Sequence, residues 1–210
     1  MLKSKVILAA TLIASLCQAS DIAVVAPKSG FGLSLGRHIV RWLGQHDIKA
    51  DFVDENAVGA GLSGKRLAYL VMPKESHYAA LSTFARGGGR MFAFYSDSAK
   101  VASLFGVKLG AYRKADGSGT FSKMSFGKTA PPGAPAEIVQ SSANIFCAYA
   151  VPGKSRVIAT WFDRAGRSTG QAAVIASNAG WWMTHVLLAD GDEKAKSQFL
   201  ASVAGMSVPG

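Results

Sequence analysis

The feature that most constrains the fold is the alternation of short apolar runs with amphipathic segments between residues 21 and 107. The runs "DIAVVAP", "LAYLVMP" and "RMFAFYS" are apolar at nearly every position, as strands buried on both faces of a parallel sheet are. The segments "LSLGRHIVRWLGQHD" and "HYAALSTFARGGG" carry apolar residues at helical spacing. The predicted strands are residues 21–27, 48–56, 67–73 and 90–96, and the predicted helices are 33–47, 77–89 and 97–107. This order predicts an α/β fold with a mainly parallel sheet and right-handed crossovers.

The character of the sequence changes after residue 108. Residues 109–137 are rich in Gly, Ser and Pro and predict a loop-rich insertion with short strands. A strand, a turn at "DRAGRS" and two more strands follow, and "DEKAKSQFLASVAG" predicts a closing helix with acidic residues in its first turn. Because no internal repeat or linker interrupts the chain, residues 20–210 are predicted to form a single domain.

The first 19 residues have the three parts of a secretory signal peptide. Lys3 and Lys5 precede an apolar stretch that ends near Leu16, and small residues lead to Ala19. We therefore predict cleavage after Ala19, export to the periplasm or beyond, and no membrane span after cleavage. The mature chain would retain only Cys147, which lies in the apolar run "NIFCAYAV" and is predicted to be a buried thiol.

The mature chain is basic. Without the two lysines of the leader it has 21 basic and 13 acidic residues, a net charge of +8. The charges are scattered along the sequence, and outside the cytoplasm nucleic acid is not an expected partner. Anionic glycans, a membrane surface or simple solvation each fit such a surface.

A glycine-rich segment, "APKSGFGLSLGRH", follows the first predicted strand. Its glycines have the spacing G-x-G-x-x-x-G, one residue longer than the dinucleotide-binding fingerprint, and Asp54 ends the second strand where a ribose-binding acid would sit. An exported protein rarely meets free dinucleotide, so we predict no cofactor. Open α/β sheets bind ligands at the carboxyl ends of their strands. The segment is therefore a predicted ligand rim, with Ser29, Gly30, Phe31 and Gly32 as candidates.

A longer segment, "GGGRMFAFYSDSAKVASLFGV", resembles the nucleophile elbow of class I glutamine amidotransferase-like domains. The resemblance implies a flavodoxin-like three-layer sandwich. It places Tyr95 at the position of the catalytic cysteine, with Ser96 beside it. The segment "GWWMTHVLLAD" resembles the strand that carries the catalytic histidine, with His185 in that place and Leu187 where the family has glutamate. Two of the three catalytic positions are thus replaced.

These replacements predict a domain without glutaminase activity. Acyl transfer of this kind needs a thiolate, a base and a group that orients the base, and a phenol with a pKa near about 10 is a poor substitute for the thiol. We therefore assign no catalytic residue and take Tyr95, Ser96, Asp97 and His185 as further candidates for ligand binding. A hydrolase that uses Ser96 or Tyr95 with His185 is the alternative, although no G-x-S-x-G motif frames Ser96.

Other chemistries have weaker support in the sequence. Asp54 and Asp97 follow strands, but Asp97 is well placed to cap the next helix, and glycoside hydrolysis needs two carboxylates at a defined separation. The four histidines lack partners at ligand spacing, so no metal site is predicted. Trp181 and Trp182 are adjacent and should point to opposite faces of a strand. The core is the expected place for both, and an exposed one would be a candidate for stacking on a sugar.

A narrower resemblance extends over nearly the whole mature chain. Together with the two blocks above, "SGFG", "LVMP" and "IATWFDRAGRSTGQAAVIASN" resemble the amidotransferase-like domain found beside family-10-like glycoside hydrolase barrels in exported bacterial proteins. This implies a non-catalytic accessory domain in carbohydrate processing. Its ligand would be a glycan or a small molecule, and its partner a hydrolase barrel in the same or a longer chain. A structural oligomerisation module is the remaining alternative.

Overall fold

The computed structural model describes residues 20–208, so the predicted leader lies outside the described residues. It contains eleven strands and five α-helices, with short 3₁₀ turns at Glu55–Ala57 and Glu75–His77. The strands are β1 (Ile22–Ala26), β2 (Asp51–Asp54), β3 (Leu67–Val71), β4 (Arg90–Phe94), β5 (Val107–Lys114), β6 (Phe121–Phe126), β7 (Glu137–Ser142), β8 (Asn144–Ala150), β9 (Ser155–Phe162), β10 (Ser168–Ser177) and β11 (Gly180–Met183). The helices are α1 (Gly30–Gly44), α2 (Val58–Gly61), α3 (Tyr78–Arg86), α4 (Ala99–Leu104) and α5 (Glu193–Ser207).

Nine strands form one sheet in the order β2-β1-β3-β4-β11-β10-β9-β6-β7. The first five run parallel, and from β10 onward each strand is antiparallel to its neighbours. Strands β5 and β8 pair separately as an antiparallel ribbon. The parallel half is the part that the strand–helix alternation predicted, and its strands are buried at nearly every position in β1, β3 and β4.

The sheet lies between two layers, which confirms the three-layer α/β sandwich. Helices α1 and α5 pack together on one face, where Ile39, Trp42 and Phe199 are fully buried. The shorter helices α2, α3 and α4 cover the other face, where Leu81 and Val101 are fully buried. Each face thus removes a continuous apolar surface from water, which is the main driving force for this arrangement.

Trp181 and Trp182 of β11 point to opposite faces, as their adjacency predicted. Trp181 belongs to the α1–α5 core and Trp182 to the core under α4, where its ring meets Phe105 edge-on at 5.5 Å. Both are at most 2% exposed. The core placement is therefore confirmed for both, and the alternative in which one of them stacks on a sugar is wrong.

The insertion region contains more regular structure than its composition suggested. Residues 109–137 contain most of β5 and all of β6, with loops at 115–120 and 127–136. Strand β6 joins the main sheet between β9 and β7, while β5 forms the ribbon with β8. The ribbon packs against α4 and against the antiparallel half of the sheet. It therefore lies beside the end of β4.

Two further observations concern residues 20–208. None of their helices is long and apolar enough to cross a membrane. Cys147 is buried in β8, as predicted, and its burial raises the pKa of the thiol.

Candidate functional site

The carboxyl ends of β1, β3, β4 and β11 meet at one edge of the sheet, because these strands run parallel. Each predicted rim segment begins at this edge. Ser29 precedes α1 without a side-chain cap, Tyr95 follows β4, and His185 lies just beyond β11. Phe31, in the first turn of α1, is exposed at 59%. The edge is where open α/β sheets place ligands.

Two glycines of the predicted rim segment lie in α1 and are explained by packing. A Cβ atom on Gly36 would lie 2.7 Å from the Cβ of Ala26, and one on Gly32 would lie 2.7 Å from the ring of Pro27. Both glycines therefore allow α1 to approach the end of β1 closely. Asp54 is held by Lys28 at 2.8 Å, and this ion pair lowers the pKa of the carboxyl. The spacing of two of the three glycines thus needs no phosphate to account for it.

Tyr95 adopts the left-handed conformation that a sharp strand-to-helix turn requires. Its φ is +49°, and its backbone N–H donates to the carbonyl of Met183 on the neighbouring strand. A residue with a side chain in this region is strained by about 1 kcal/mol or more. The turn leads into α4, whose cap is Ser98, since its hydroxyl accepts from the Val101 N–H at 3.2 Å. The prediction that Asp97 caps this helix is wrong by one residue.

The side chain of Tyr95 is enclosed by the ribbon and by His185. Its ring centroid lies 4.8 Å from that of Phe146 and 5.0 Å from that of His185, which it meets edge-on. Its hydroxyl donates a hydrogen bond to Oδ1 of Asn144. Burial raises the pKa of the phenol, and the neighbouring Tyr112 and Asp97 raise it further. The phenol is therefore neutral and its proton is committed to the amide.

His185 is held as a neutral ring. Its Nδ1 lies 3.0 Å from the carbonyl oxygen of Val186 and 3.3 Å from Oγ of Ser142. Because a carbonyl only accepts, Nδ1 carries the proton. Gln140 supports the arrangement by donating to both Ser142 and Val186 at 2.9 Å. Burial lowers the pKa of the imidazole, and the bond to Val186 offsets this only in part.

The remaining positions of the predicted constellation are chemically engaged or buried. Leu187 is fully buried in the core, so no carboxylate stands at the glutamate position. Ser96 is 3% exposed; its hydroxyl donates to the carbonyl of Pro73 at 2.5 Å and accepts from the Ser98 N–H at 3.1 Å. Within residues 20–208 no hydrogen bond joins Ser96 to His185. The structure therefore brings Tyr95 and His185 together and leaves Ser96 under the turn.

The ribbon contributes site residues that the sequence patterns missed. Asn144 and Phe146 contact Tyr95 directly, and Tyr112 meets Phe146 edge-on at 5.6 Å while remaining 53% exposed. In the ribbon Tyr112 pairs with Phe146, and Lys114 with Asn144. These four side chains therefore lie on the same face of the ribbon. Only pairing between distant segments brings them to the site, and no local motif marks them.

The described part of the chain, residues 20–208, holds no group of three His, Cys, Asp or Glu side chains arranged to bind a metal ion. The polar groups gathered around Tyr95 are a phenol, an amide and a neutral imidazole. Each of these groups can donate or accept a hydrogen bond with a neutral ligand.

The sequence matches no family model and no curated protein. Several solved structures are similar in fold. A cold-adapted β-galactosidase from Rahnella sp. R3 is 13% identical with a TM-score of 0.65, over 89% of this chain and 31% of that one. A glutamine amidotransferase from Thermotoga maritima is 10% identical with a TM-score of 0.59, over 90% of this chain and 98% of that one. An exo-β-1,4-mannosidase from Opitutaceae bacterium strain TAV5 is 14% identical with a TM-score of 0.55, over 90% and 36% of the two chains.

These likenesses show the fold. The chain has the architecture of a class I glutamine amidotransferase-like domain, as its sequence resemblance implied. It spans nearly the whole of the amidotransferase and about a third of each glycosidase. The same fold therefore occurs both alone and as one part of larger carbohydrate-active enzymes.

Proposed function

We propose that this chain is a non-catalytic accessory domain that binds saccharides for a glycoside hydrolase. One observation carries the proposal: the turn that holds the cysteine in amidotransferases holds Tyr95 here, with its hydroxyl bonded to Asn144 and its ring against His185. The strained turn is retained, while the group that would attack an acyl carbon is not.

The chemistry of the site supports the absence of acyl transfer. A nucleophile at this turn needs a base to take its proton and a carboxylate to orient that base. His185 donates its Nδ1 proton to a backbone carbonyl, and Leu187 is apolar and buried. A neutral phenol with a raised pKa is also a weak nucleophile. The nucleophile and the orienting carboxylate of the triad are therefore missing, and only the histidine is present.

Two observations support carbohydrate as the ligand class. The fold occurs within a β-galactosidase and a mannosidase, which act on sugars. Beside Phe146 on the ribbon, Tyr112 presents an aromatic ring that is more than half exposed, and such rings stack on the apolar faces of pyranoses. Asn144, beside it on the same face of the ribbon, offers amide hydrogen bonds for sugar hydroxyls.

The absence of catalysis is tested by turnover of glutamine, p-nitrophenyl acetate and p-nitrophenyl β-galactoside. The purified protein and the variant His185→Ala are compared at equal concentration. We expect the same background rate for both. A rate above background that His185→Ala abolishes would refute the proposal and support the alternative hydrolase.

Saccharide binding is tested by calorimetry with β-1,4-galactotriose and β-1,4-mannotriose. Tyr112 and Tyr149 are both on the ribbon and both 53% exposed, so Tyr149→Ala is a matched control for Tyr112→Ala. Loss of a stacked ring costs about 1–1.5 kcal/mol, so Tyr112→Ala should weaken binding about fivefold to tenfold. Tyr149→Ala should change it less than twofold. Equal effects of the two variants on binding contradict the proposal, and so does the absence of binding to every saccharide tested.

Export and partnership belong to the same proposal. The predicted leader implies that the exported protein begins at Ser20, which N-terminal sequencing of the protein from its native cells tests. An immunoblot for the native polypeptide shows whether a hydrolase barrel is joined to this domain or encoded apart. Sedimentation tests the oligomerisation alternative, which a stable assembly without affinity for sugars would support.

A further inference from the structure

A cleft of about 320 Å³ lies next to the Tyr95 site, at the end of the ribbon. It is formed by the glycine-rich loop after β5 and by the turn between β7 and β8. Lys114, Ser118, Ser141 and Arg164 are among the residues that line it. Ser142 also lines it, and its hydroxyl contacts Nδ1 of His185 at 3.3 Å. The cleft therefore opens directly beside the candidate site.

The two cations of this cleft are exposed and lack a carboxylate partner among residues 20–208. The acids nearest to them in sequence are already engaged, since Asp116 pairs with Arg113 at 3.2 Å and Asp163 with Arg167 at 2.8 Å. A third acid, Asp190, accepts from the Ser141 N–H but is paired with a buried lysine. Lys114 and Arg164 thus give the cleft an uncompensated positive charge.

The cleft and the aromatic ring are placed to act together. Tyr112 and Lys114 are two residues apart on β5 and project from the same face, so their Cα atoms are about 7 Å apart. This separation is close to the span of one pyranose ring and its exocyclic group. An arginine and a lysine with serine hydroxyls form a donor set that suits a carboxylate or a sulfate.

We infer that the cleft binds the anionic group of an acidic saccharide whose ring stacks on Tyr112. Lys114 and Arg164 donate charged hydrogen bonds to the anion, and Ser118 and Ser141 add hydroxyl donors. The inference rests on the proposed function, because it names the class of saccharide for that site. It also gives two of the basic residues of the chain, Lys114 and Arg164, a role in binding.

The test uses calorimetry with trigalacturonate and with its fully methyl-esterified form, which has the same ring and no charge. We expect trigalacturonate to bind at least tenfold more tightly in 50 mM salt, and the difference to narrow as salt is raised. The double variant Lys114→Gln/Arg164→Gln should weaken trigalacturonate binding at least tenfold and leave the ester unchanged. The matched control is Lys108→Gln/Arg156→Gln, which removes the same charge from exposed positions on β5 and β9 and should change binding less than twofold.

The outcomes separate this inference from the proposed function. If the ester and the acid bind equally and Lys114→Gln/Arg164→Gln has no effect, the inference fails and the proposed function stands. If no saccharide binds, acidic or neutral, both fail.

If inorganic sulfate binds as tightly as trigalacturonate, the ring contributes nothing and the saccharide part of the inference fails. Equal loss in the control pair would show only long-range charge attraction and would also overturn it. Tighter binding of galactose 6-sulfate than of galacturonate would keep the acidic saccharide and identify the anion as a sulfate ester.

Discussion

The hydroxyl of Tyr95 donates a hydrogen bond to Oδ1 of Asn144, which lies 49 residues further along the chain. This bond ties the strained turn after β4 to the ribbon formed by β5 and β8. Together with the bond from the Phe146 N–H to the carbonyl of Thr184, it holds the ribbon over the end of β4. The bond and the ring packing around it together explain why a bulky residue occupies a turn that favours glycine.

Removing this bond should cost measurable stability. In Tyr95→Phe the ring contacts remain while the amide of Asn144 loses its donor, so the free energy of unfolding should fall by about 1 kcal/mol. Tyr112→Phe is the control. Because Tyr112 is exposed at the surface, this variant should change the free energy of unfolding by less than about 0.5 kcal/mol. Urea unfolding measures both. Equal values for the two variants would mean that the Tyr95–Asn144 bond adds nothing to stability.

A carboxylate at position 187 should be poorly tolerated. Leu187 is fully buried among apolar side chains, so Leu187→Glu places a charge where water does not reach and should lower the free energy of unfolding by about 3–5 kcal/mol. Leu188→Glu is the matched control, since Leu188 is only partly buried, and its loss should be clearly smaller. Urea unfolding measures both variants. A loss for Leu187→Glu as small as that for Leu188→Glu would show that the acid at position 187 reaches solvent or a partner.

The glycines of α1 allow a test of the packing between this helix and β1. A methyl group on Gly36 would meet the Cβ of Ala26 and the ring of Phe52 within 3 Å, so Gly36→Ala should destabilise the protein by about 1–3 kcal/mol. Gly44, at the end of the same helix, has no atom within 4 Å of the same position. Gly44→Ala should therefore be neutral or stabilising by up to about 1 kcal/mol. A destabilisation of similar size in both variants, measured by thermal unfolding, would contradict this account of the packing of α1.

The parallel half of the fold was predictable because its signals are local. Five residues repeat at helical spacing: Leu35, Ile39, Val40, Trp42 and Leu43. Val40 is partly buried and the other four are buried, on one side of α1 as that spacing requires. The observed helix begins three residues earlier than predicted, at Gly30, because glycines carry no hydrophobic signal. The short parallel strands could also be predicted from the sequence. They are buried on both faces, so their residues are apolar throughout and do not alternate with polar ones.

The site was only half predictable, and the missing half has a physical reason. Tyr95 and His185 were identified because the segments around them resemble those that carry the catalytic cysteine and histidine of class I glutamine amidotransferase-like domains. Tyr112 and Asn144 reach the site through strand pairing between β5 and β8, and a polar, glycine-rich sequence does not encode its partner strand locally. The choice between Asp97 and Ser98 as helix cap was also beyond local reasoning. Both residue types cap well, and only the backbone conformation of Ser98 decides it.

Stability should depend on pH through His185. Burial holds the pKa of this ring below its ordinary value near about 6.5, so the unfolded chain binds the proton first as the pH falls. The free energy of unfolding should therefore decrease as the pH drops through about 6.5, until the folded-state pKa is reached. His185→Gln should reduce this slope. Part of it should remain, because burial also lowers the pKa of His77. Urea unfolding between pH 7.5 and 5.5 measures the slope, and an unchanged slope in His185→Gln would exclude this role.

A buried lysine secures the segment that follows the site. Lys196 of α5 is fully buried, and its ammonium group donates to the backbone carbonyls of Leu188, Asp190 and Gly191. The same segment protects the outer edge of β7, because the carboxylate of Asp190 accepts from the Ser141 N–H. An edge strand with uncovered N–H groups is open to pairing with other chains. The lysine therefore holds in place a loop that covers an edge of the sheet.

Lys196→Met should accordingly do more than remove a charge. It leaves three carbonyl groups without their donor and should lower the free energy of unfolding by roughly 3 kcal/mol. It should also speed hydrogen exchange at the amides of Val139 and Ser141, which are bonded to the aspartates of this loop. Lys194→Met, an exposed neighbour on the same helix, should change neither quantity. Loss of stability in Lys196→Met without faster exchange at these two amides would separate the lysine from the protection of β7, since the helix would then be weakened while the edge stayed closed.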